Sequence, residues 1–313
     1  MTPIPESPNV MRGGQVNLIT SYNQKYMRNP EEAFLSGLSQ KLRTEKLFQK
    51  TEAVLSENPP LNPENFRDLY GDENVDKDIA YVKNLEKKFS EETNPENEEA
   101  KKLAKSLETI ITEQIELSDW MGPDAVTITT SRFDDIANGV DLVTEFQNQK
   151  ERTASHLALA VDVTFGSGLG KKMARIINEI RSGELARVKY FESEFLNIRG
   201  ELRNVPRVVV GIDTHTLGSL GEVWLAHDTK VLARHGVQRA ILEEIRAELA
   251  AFQKYALHVK QKNVALVYER ALGAVEGILA EKKEIELGEL VNDKVFQSVL
   301  REASLIGEFR RSR

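Results

Sequence analysis

Two aspartates stand inside apolar, strand-like segments of the 313-residue chain. Asp141 lies in the segment GVDLV, and Asp162 lies in LAVDVT. Removing a lone carboxylate from water is costly, so each must be solvated, paired or bound to a cation. If the two segments are neighbouring strands, both carboxylates can reach one hard cation through their oxygen atoms. The backbone carbonyl of Val163 would add a third ligand, so the chemistry indicated is divalent-cation binding.

The segments around both aspartates are predicted to be strands. Residues 125–165 contain AVTITTSRF, GVDLVTEF and HLALAVDVTF, separated by the polar turns DDIANG and NQKERTAS. This order is typical of an antiparallel meander. The turn GSGLG then leads into a predicted helix over 170–182, with apolar residues at helical spacing. ELARVKYFESEF and, after a polar turn, VPRVVVGID predict two further strands.

The flanks of this region are predicted to be helical or irregular. We expect four segments: an extended arm at 1–29, a helical segment with an acidic connector at 30–99, an α/β core at 100–228, and a helical region at 229–313. The predicted fold is α/β (α+β), with a central mixed β-sheet flanked by N-terminal helices and a C-terminal helical hairpin. The last helix is expected over about 290–307.

Composition narrows the class of protein. The chain has no cysteine, which excludes disulfides, thiolate catalysis and zinc held by sulfur. Its 42 Lys and Arg against 49 Asp and Glu give a net charge of −7, which excludes a histone-like polycation. The longest clearly apolar run, Leu157–Val161, is far shorter than the roughly 20 residues that cross a bilayer. The N-terminus has neither a basic start nor an apolar run, so we expect a cytoplasmic protein without a membrane partner.

The order helix, three strands, helix, strand resembles the αβββαβ core of the PD-(D/E)XK nuclease superfamily. Asp141 at the start of the second strand and Asp162 late in the third carry the resemblance, which covers about a third of the chain. By that resemblance Asp141 corresponds to the first metal-binding aspartate. Asp162 corresponds to the acid of the (D/E)-x-K element, and Val163 fills its x position.

The lysine of the element has no counterpart at its usual place, which is occupied by Thr164. Some members of the superfamily place this lysine on the following helix. Lys172 is the candidate there, because it borders the apolar helix face, whereas Lys171 points further toward solvent. If no lysine reaches the acids, the core would be a catalytically silent relative.

Two further pairs of acids could complete the metal site that the resemblance implies. Glu113 and Glu116 lie on the helix before the sheet, and we take Glu116 as a predicted metal ligand together with Asp141, Asp162 and Val163. Asp134 and Asp135 in the turn before Asp141 are a further option. The resemblance implies hydrolysis of DNA or RNA phosphodiester bonds with Mg²⁺ or Mn²⁺ and no covalent intermediate, with Asp141, Asp162 and Lys172 as catalytic residues.

The alternative is a non-catalytic interaction or structural protein. In that case the near-heptad apolar stripes of the C-terminal helices would form a homo-oligomer interface. Asp213 and His215 follow a predicted strand and are either close to a site or part of a helix cap, and we favour the cap. The basic tail Arg310–Arg313 could contact nucleic acid or be ordinary solvated surface.

Overall fold

The structure is a computed structural model that describes residues 30–91, 95–148, 153–162, 167–193 and 195–309. The expected arm at 1–29, the tail Arg310–Arg313 and Val163 lie outside the described residues. The chain divides into two units, 1–43 and 44–313. The described part of the first unit is the beginning of a long helix, and the second unit contains everything discussed below.

The N-terminal part of the described chain is helical. Its helices are α1 (Pro30–Glu57), α2 (Arg67–Tyr70), α3 (Asp72–Glu91) and α4 (Pro95–Leu117). Within the acidic connector the sequence predicts two short helices, around Phe66–Tyr70 and Ile79–Phe89, and helices cover both places, with α3 longer than expected. Phe66 and Val75 are fully buried in one apolar cluster with Tyr190, so this segment is folded onto the rest of the second unit.

The strands form a mixed four-stranded sheet and a separate hairpin. They are β1 (Ala125–Thr129), β2 (Leu142–Asn148), β3 (Thr153–Asp162), β4 (Ala186–Glu192), β5 (Arg199–Val205) and β6 (Arg207–Gly211). The large sheet has the order β1-β2-β3-β6, with antiparallel β1/β2 and β2/β3 pairs and a parallel β3/β6 pair. The predicted meander is confirmed. Parallel neighbours require a crossover, and helix α5 (Ser167–Ser182) lies in it.

Most of strand β5 lies where the sequence predicts a polar turn. It pairs with β4 in an antiparallel hairpin that is separate from the main sheet. Its sequence, RGELRNV, is largely polar, and most of its residues are partly or fully exposed. A strand that presents little surface to a core has no alternating apolar pattern, so the signal used to predict strands is missing.

The C-terminal part of the chain packs against β6. Its helices are α6 (Thr214–Leu225), α7 (Thr229–Leu232), α8 (Gly236–His258), α9 (Lys262–Glu281) and α10 (Lys294–Gly307). Helix α8 contacts β6, α9 and α10. The apolar stripe predicted for self-association is therefore buried within the chain at Val237, Ile241, Ile245, Leu249, Phe252 and Ala256. Within the described residues, no helix has the length and apolar content needed to span a membrane.

Candidate functional site

Two of the predicted catalytic residues, Asp141 and Lys172, line one cavity of about 260 Å³. The full lining consists of three carboxylates, three cationic side chains and a glycine: Glu108, Asp135, Asp141, Lys172, Arg175, Arg207 and Gly139. These residues come from α4, α5, β6 and the segment between β1 and β2. The cavity is therefore assembled from elements distant in sequence, which the sequence predicted only in part.

Asp141 lies directly before the first residue of β2 rather than within the strand. Its main-chain N–H donates to the carbonyl oxygen of Leu159 in β3 at 3.0 Å, and its carbonyl accepts from the N–H of Thr130 at 3.2 Å. The backbone of Asp141 is thus held from both sides, although it lies outside the strand. The π-helical turn Asp134–Asn138 and the residues 139–141 precede the strand, which begins at Leu142.

Lys172 lies on the face of α5 that borders the cavity, at helical spacing from Arg175 and Glu179. Lys172 is half-buried, whereas Lys171 is exposed, so the predicted difference between these lysines is confirmed. Buried apolar residues of α5, among them Met173, hold the helix against the core. The cavity face of α5 therefore presents two cations and one carboxylate in a row.

Arg207, the first residue of β6, is only 3% exposed. Its Nη1 donates to the carbonyl oxygen of Gly139 at 2.8 Å, and its Nη2 donates to Oε1 of Glu179 at 2.5 Å. Arg175 donates from Nη2 to the carbonyl oxygen of Ala137 at 2.8 Å, and its Nε lies 3.6 Å from the same Glu179 oxygen. Two guanidinium groups thus share one carboxylate at the cavity wall.

Burial shifts the pKa values of Glu179 and Arg207. It raises the pKa of Glu179, with Arg207 and Arg175 opposing the shift. Burial also lowers the pKa of the Arg207 guanidinium, with Glu179 opposing. Both directions follow from the cost of keeping a charge in a poorly solvated place.

Gly139 makes the close approach of the two arginines possible. It ends the π-helical turn Asp134–Asn138 with a φ of 63°, a left-handed conformation that favours glycine. A Cβ atom at this position would lie 2.6 Å from Nη1 of Arg175 and 3.0 Å from Nη1 of Arg207. Any side chain here would displace at least one guanidinium.

The two aspartates of this turn have different roles. Asp134 is fully buried and accepts the main-chain N–H groups of Lys189 at 2.7 Å and Tyr190 at 3.0 Å. It therefore ties the turn to β4 and does not line the cavity. Asp135 does line the cavity and pairs with Arg132. Of the two acids predicted as an option, only Asp135 is placed to act at the site.

The acid that α4 contributes to the cavity is Glu108, which the sequence interpretation missed. Its carboxylate lies 2.8 Å from Nζ of Lys105, and burial raises its pKa while that lysine opposes the shift. Glu113 and the predicted ligand Glu116 instead line a separate groove of about 780 Å³. Glu108 follows the buried Leu107 just as Glu116 follows the buried Ile115, so the sequence alone did not distinguish the two acids.

The second predicted acid is described only in its backbone. Asp162 pairs with Gly211 in the parallel β3/β6 register. Its side chain and all of Val163 lie outside the described residues, so their predicted metal roles stay predictions. Across the residues whose side chains are described, no three His, Asp or Glu groups are placed to hold a metal ion together.

Asp213 has the capping role favoured from the sequence. Its carboxylate accepts the N–H of Thr216 at 2.9 Å in the first turn of α6. A second bond, from the N–H of Lys294 at 3.3 Å, joins it to the start of α10. Asp213 therefore connects two helix N-termini.

Comparison with protein-family models, curated proteins and solved structures finds no match to this chain. What indicates a function is therefore the chemistry of the cavity. Carboxylate oxygens are the ligands preferred by hard divalent cations, and guanidinium and ammonium groups bind phosphate oxygens. A pocket that carries both kinds of group suits a phosphate ester together with a cation.

Proposed function

We propose that the protein is a nuclease-like hydrolase that cleaves nucleic-acid phosphodiester bonds with Mg²⁺ or Mn²⁺. The observation that carries this proposal is that Asp141 and Lys172 line the same cavity. The sequence predicts these two residues as the acid and the lysine of one site. The order of α4, the β1–β3 meander, α5 and β6 also supports the proposal.

The carboxylates of the cavity fit a hard cation by their donor type. Asp141 and Asp162 would hold the ion, with Glu108 or Asp135 as a further oxygen donor. When bound, the ion supplies a water of lowered pKa and stabilises negative charge on the phosphate. Lys172 would orient the attacking water and donate to a phosphate oxygen.

The cationic residues explain how an acidic protein could attract nucleic acid. Lys172, Arg175 and Arg207 place three positive groups in one small cavity, whereas the whole chain carries a net charge of −7. Basic groups can bind phosphate locally although the net charge of the chain is negative, and three carboxylates share the cavity with them. Acidic residues outnumber basic ones in the segment 56–100.

A cleavage assay tests the proposal. Labelled DNA and RNA are incubated with the wild type, Asp141→Asn and Lys172→Met, each in Mg²⁺, Mn²⁺ or EDTA. We expect metal-dependent cleavage by the wild type and a loss of at least about 100-fold in either variant. Lys171→Met is the matched control, because this exposed neighbour should retain activity within about twofold.

A divalent-ion titration followed by thermal shift gives a second readout. The wild type should be stabilised by Mn²⁺, and Asp162→Ala and Asp141→Asn should lose that stabilisation, because an ion that binds only the folded state raises its stability. A wild type that neither cleaves DNA or RNA nor responds to either ion would disprove the proposal.

The second candidate function is a non-catalytic interaction protein. The observation that favours it is that two cavity carboxylates already have cationic partners, Glu108 with Lys105 and Asp135 with Arg132. Such pairs can be a structural charge network alone. The same titration separates the candidates, since a structural network predicts no ion-dependent stabilisation that Asp141→Asn removes.

A further inference from the structure

We propose that Arg175 and Arg207 form a clamp for a second phosphate group, next to the phosphate held at Asp141 and Lys172. This inference rests on the proposed function and makes it more specific. It states that the substrate is a strand with consecutive phosphates, rather than an isolated phosphodiester. It assigns a recognition role to two arginines that the catalytic chemistry does not use.

The first support is the cost of the arrangement. Both guanidinium groups come within 3.0 Å of one point, the position of a Cβ on Gly139. Like charges this close repel, and Arg207 is almost fully buried, which adds a cost of desolvation. A folded protein holds such a pair where an anion offsets the charge, and Glu179 supplies one carboxylate for both.

The second support is the incomplete pairing of the clamp. Glu179 is the carboxylate that bridges both arginines. Within the described residues, Nε of Arg207 is buried without a hydrogen-bond partner, and so is Oε2 of Glu179. Buried guanidinium donors normally find partners. Glu179 thus uses one oxygen for two guanidinium groups, and Arg207, which lines the cavity, keeps an unused donor.

The third support is the position and size of the cavity. Lys172 and Arg175 are one helical turn apart on the same side of α5, so the clamp adjoins the reacting group. About 260 Å³ is small against the roughly 300–1,000 Å³ of pockets that enclose whole drug-sized ligands. It has room for phosphate groups and an ion, while the nucleosides stay outside.

Arginine is also the residue suited to this task. Its planar fork of donors matches two phosphate oxygens at once, whereas a lysine offers a point charge. The main-chain carbonyls of Ala137 and Gly139 hold the two forks in place before a ligand arrives. A preorganised donor pair gains affinity because little freedom is lost on binding.

The test measures binding in EDTA, so it does not depend on catalysis. A fluorescently labelled single-stranded oligonucleotide is titrated with the wild type, and its anisotropy is followed at several salt concentrations. Arg175→Gln should weaken binding about tenfold and lower the salt slope by about one phosphate contact. Arg187→Gln, which removes an exposed arginine of β4, is the matched control and should bind within about twofold of the wild type.

Competition by unlabelled ligands tests the substrate class. Two unlabelled ligands compete with the probe for the wild type: a tetranucleotide, and a dinucleoside monophosphate, which has one phosphate. The tetranucleotide should compete at a concentration about ten times lower. The advantage should fall below about twofold in Arg175→Gln and return in part in Arg175→Lys, which restores charge without the fork. Equal competition by the two ligands on the wild type, or unchanged binding by Arg175→Gln, would overturn the clamp.

Folding and the proposed function are controlled separately. Arg175→Gln changes a side chain on the exposed end of the cavity face of α5, and its circular dichroism and thermal unfolding should match the wild type. Arg207→Lys serves as the second clamp variant and should weaken binding in the same direction. Selective loss of binding in these variants without cleavage by the wild type would leave the clamp standing and remove the hydrolase. Cleavage by the wild type together with unchanged binding by Arg175→Gln would remove the clamp and leave the hydrolase standing.

Discussion

The carboxylate of Glu248 accepts the main-chain N–H of Val209 at 2.8 Å, in the place that a further strand would occupy. Glu244, one turn earlier on α8, accepts the N–H of Gly211 at 3.0 Å. Because β6 is an edge strand, these N–H groups would otherwise lack strand partners. Both glutamates are fully buried, so a helix closes the sheet edge with carboxylates and covers it from water.

The buried position of Glu248 makes the stability of the protein depend on pH. Burial raises the pKa of Glu248 well above the usual value, although the hydrogen bond from Val209 opposes the shift. The folded state therefore binds a proton that the unfolded state releases near pH 4.3. The free energy of unfolding must fall as the pH rises above that value, until the folded pKa is passed.

Glu248→Gln removes this titration and keeps an acceptor for Val209. We expect its free energy of unfolding, relative to the wild type, to be higher at pH 8 than at pH 5 in urea denaturation. Glu248→Ala should instead destabilise by about 1–3 kcal/mol, because the Val209 N–H is left unpaired. Glu269→Gln, on the exposed side of α9, is the matched control for the removal of one carboxylate. A constant difference between Glu248→Gln and the wild type across this range would contradict the prediction.

Replacing Asp134 by asparagine should cause a large loss of stability, although the two side chains have nearly the same shape. Its carboxylate accepts two main-chain N–H groups of β4, from Lys189 and Tyr190. In Asp134→Asn one oxygen becomes an amide donor, which must face an N–H donor. We expect a loss of about 2–4 kcal/mol in chemical denaturation, since hydrogen bonds to a buried charge are strong. Asp72→Asn also replaces an aspartate by asparagine, but at an exposed position, and should lower the free energy of unfolding by less than about 0.5 kcal/mol.

The elements with a strong periodic pattern could be predicted from the sequence. The apolar strand β6, the three-strand meander and α5 follow from local alternation or helical spacing, and these determine the sheet. Lys172 could be separated from Lys171 on the same grounds. Asp141 is indicated as a site residue because a carboxylate in an apolar segment must be solvated, paired or bound to a cation.

The remaining features depend on contacts between distant residues. Arg207 looks from the sequence like a surface residue at the start of a strand, and its burial appears only when Glu179 and Gly139 meet it. Glu108 and Glu116 lie on one helix, and only the packing of α4 decides which reaches the cavity. No local pattern carries that information.

His156 illustrates a pair that only strand register reveals. It lies directly opposite Glu145 in the β2/β3 pair, with its Nε2 at 3.1 Å from the carboxylate. Burial lowers the pKa of His156, and the hydrogen bond to Glu145 opposes the shift. The unfolded state therefore takes up a proton more readily than the folded state, and stability is lost as the pH falls below about 6.5.

The imidazole of His156 should titrate below the value of a free histidine in an NMR experiment, with His156→Gln assigning the signal. The same variant keeps a donor for Glu145 and should lose less stability than the wild type between pH 7 and pH 5. An imidazole that titrates above about 6.5 would show that Glu145 outweighs burial.

Gly139→Ala should lower both the stability of the protein and the affinity of the arginine clamp for an oligonucleotide. Alanine at a φ of 63° costs about 1–2 kcal/mol. Its Cβ would also lie 2.6 Å from Nη1 of Arg175, which can move, and 3.0 Å from Nη1 of Arg207, which two hydrogen bonds and burial hold in place. We therefore expect displacement of Arg175, with oligonucleotide affinity in EDTA reduced severalfold beyond what the lower stability explains.

Gly273→Ala provides the matched control for this change. Its Cβ would meet no atom within 4 Å in the middle of α9, so the substitution should stabilise the helix by about 0.5–1 kcal/mol and leave oligonucleotide binding unchanged. Urea denaturation and anisotropy on the two variants separate backbone strain from loss of the clamp. In Gly139→Ala the added Cβ occupies the space of the Arg175 guanidinium. If the folded variant nevertheless bound the oligonucleotide as tightly as the wild type, the position of Arg175 would not determine binding.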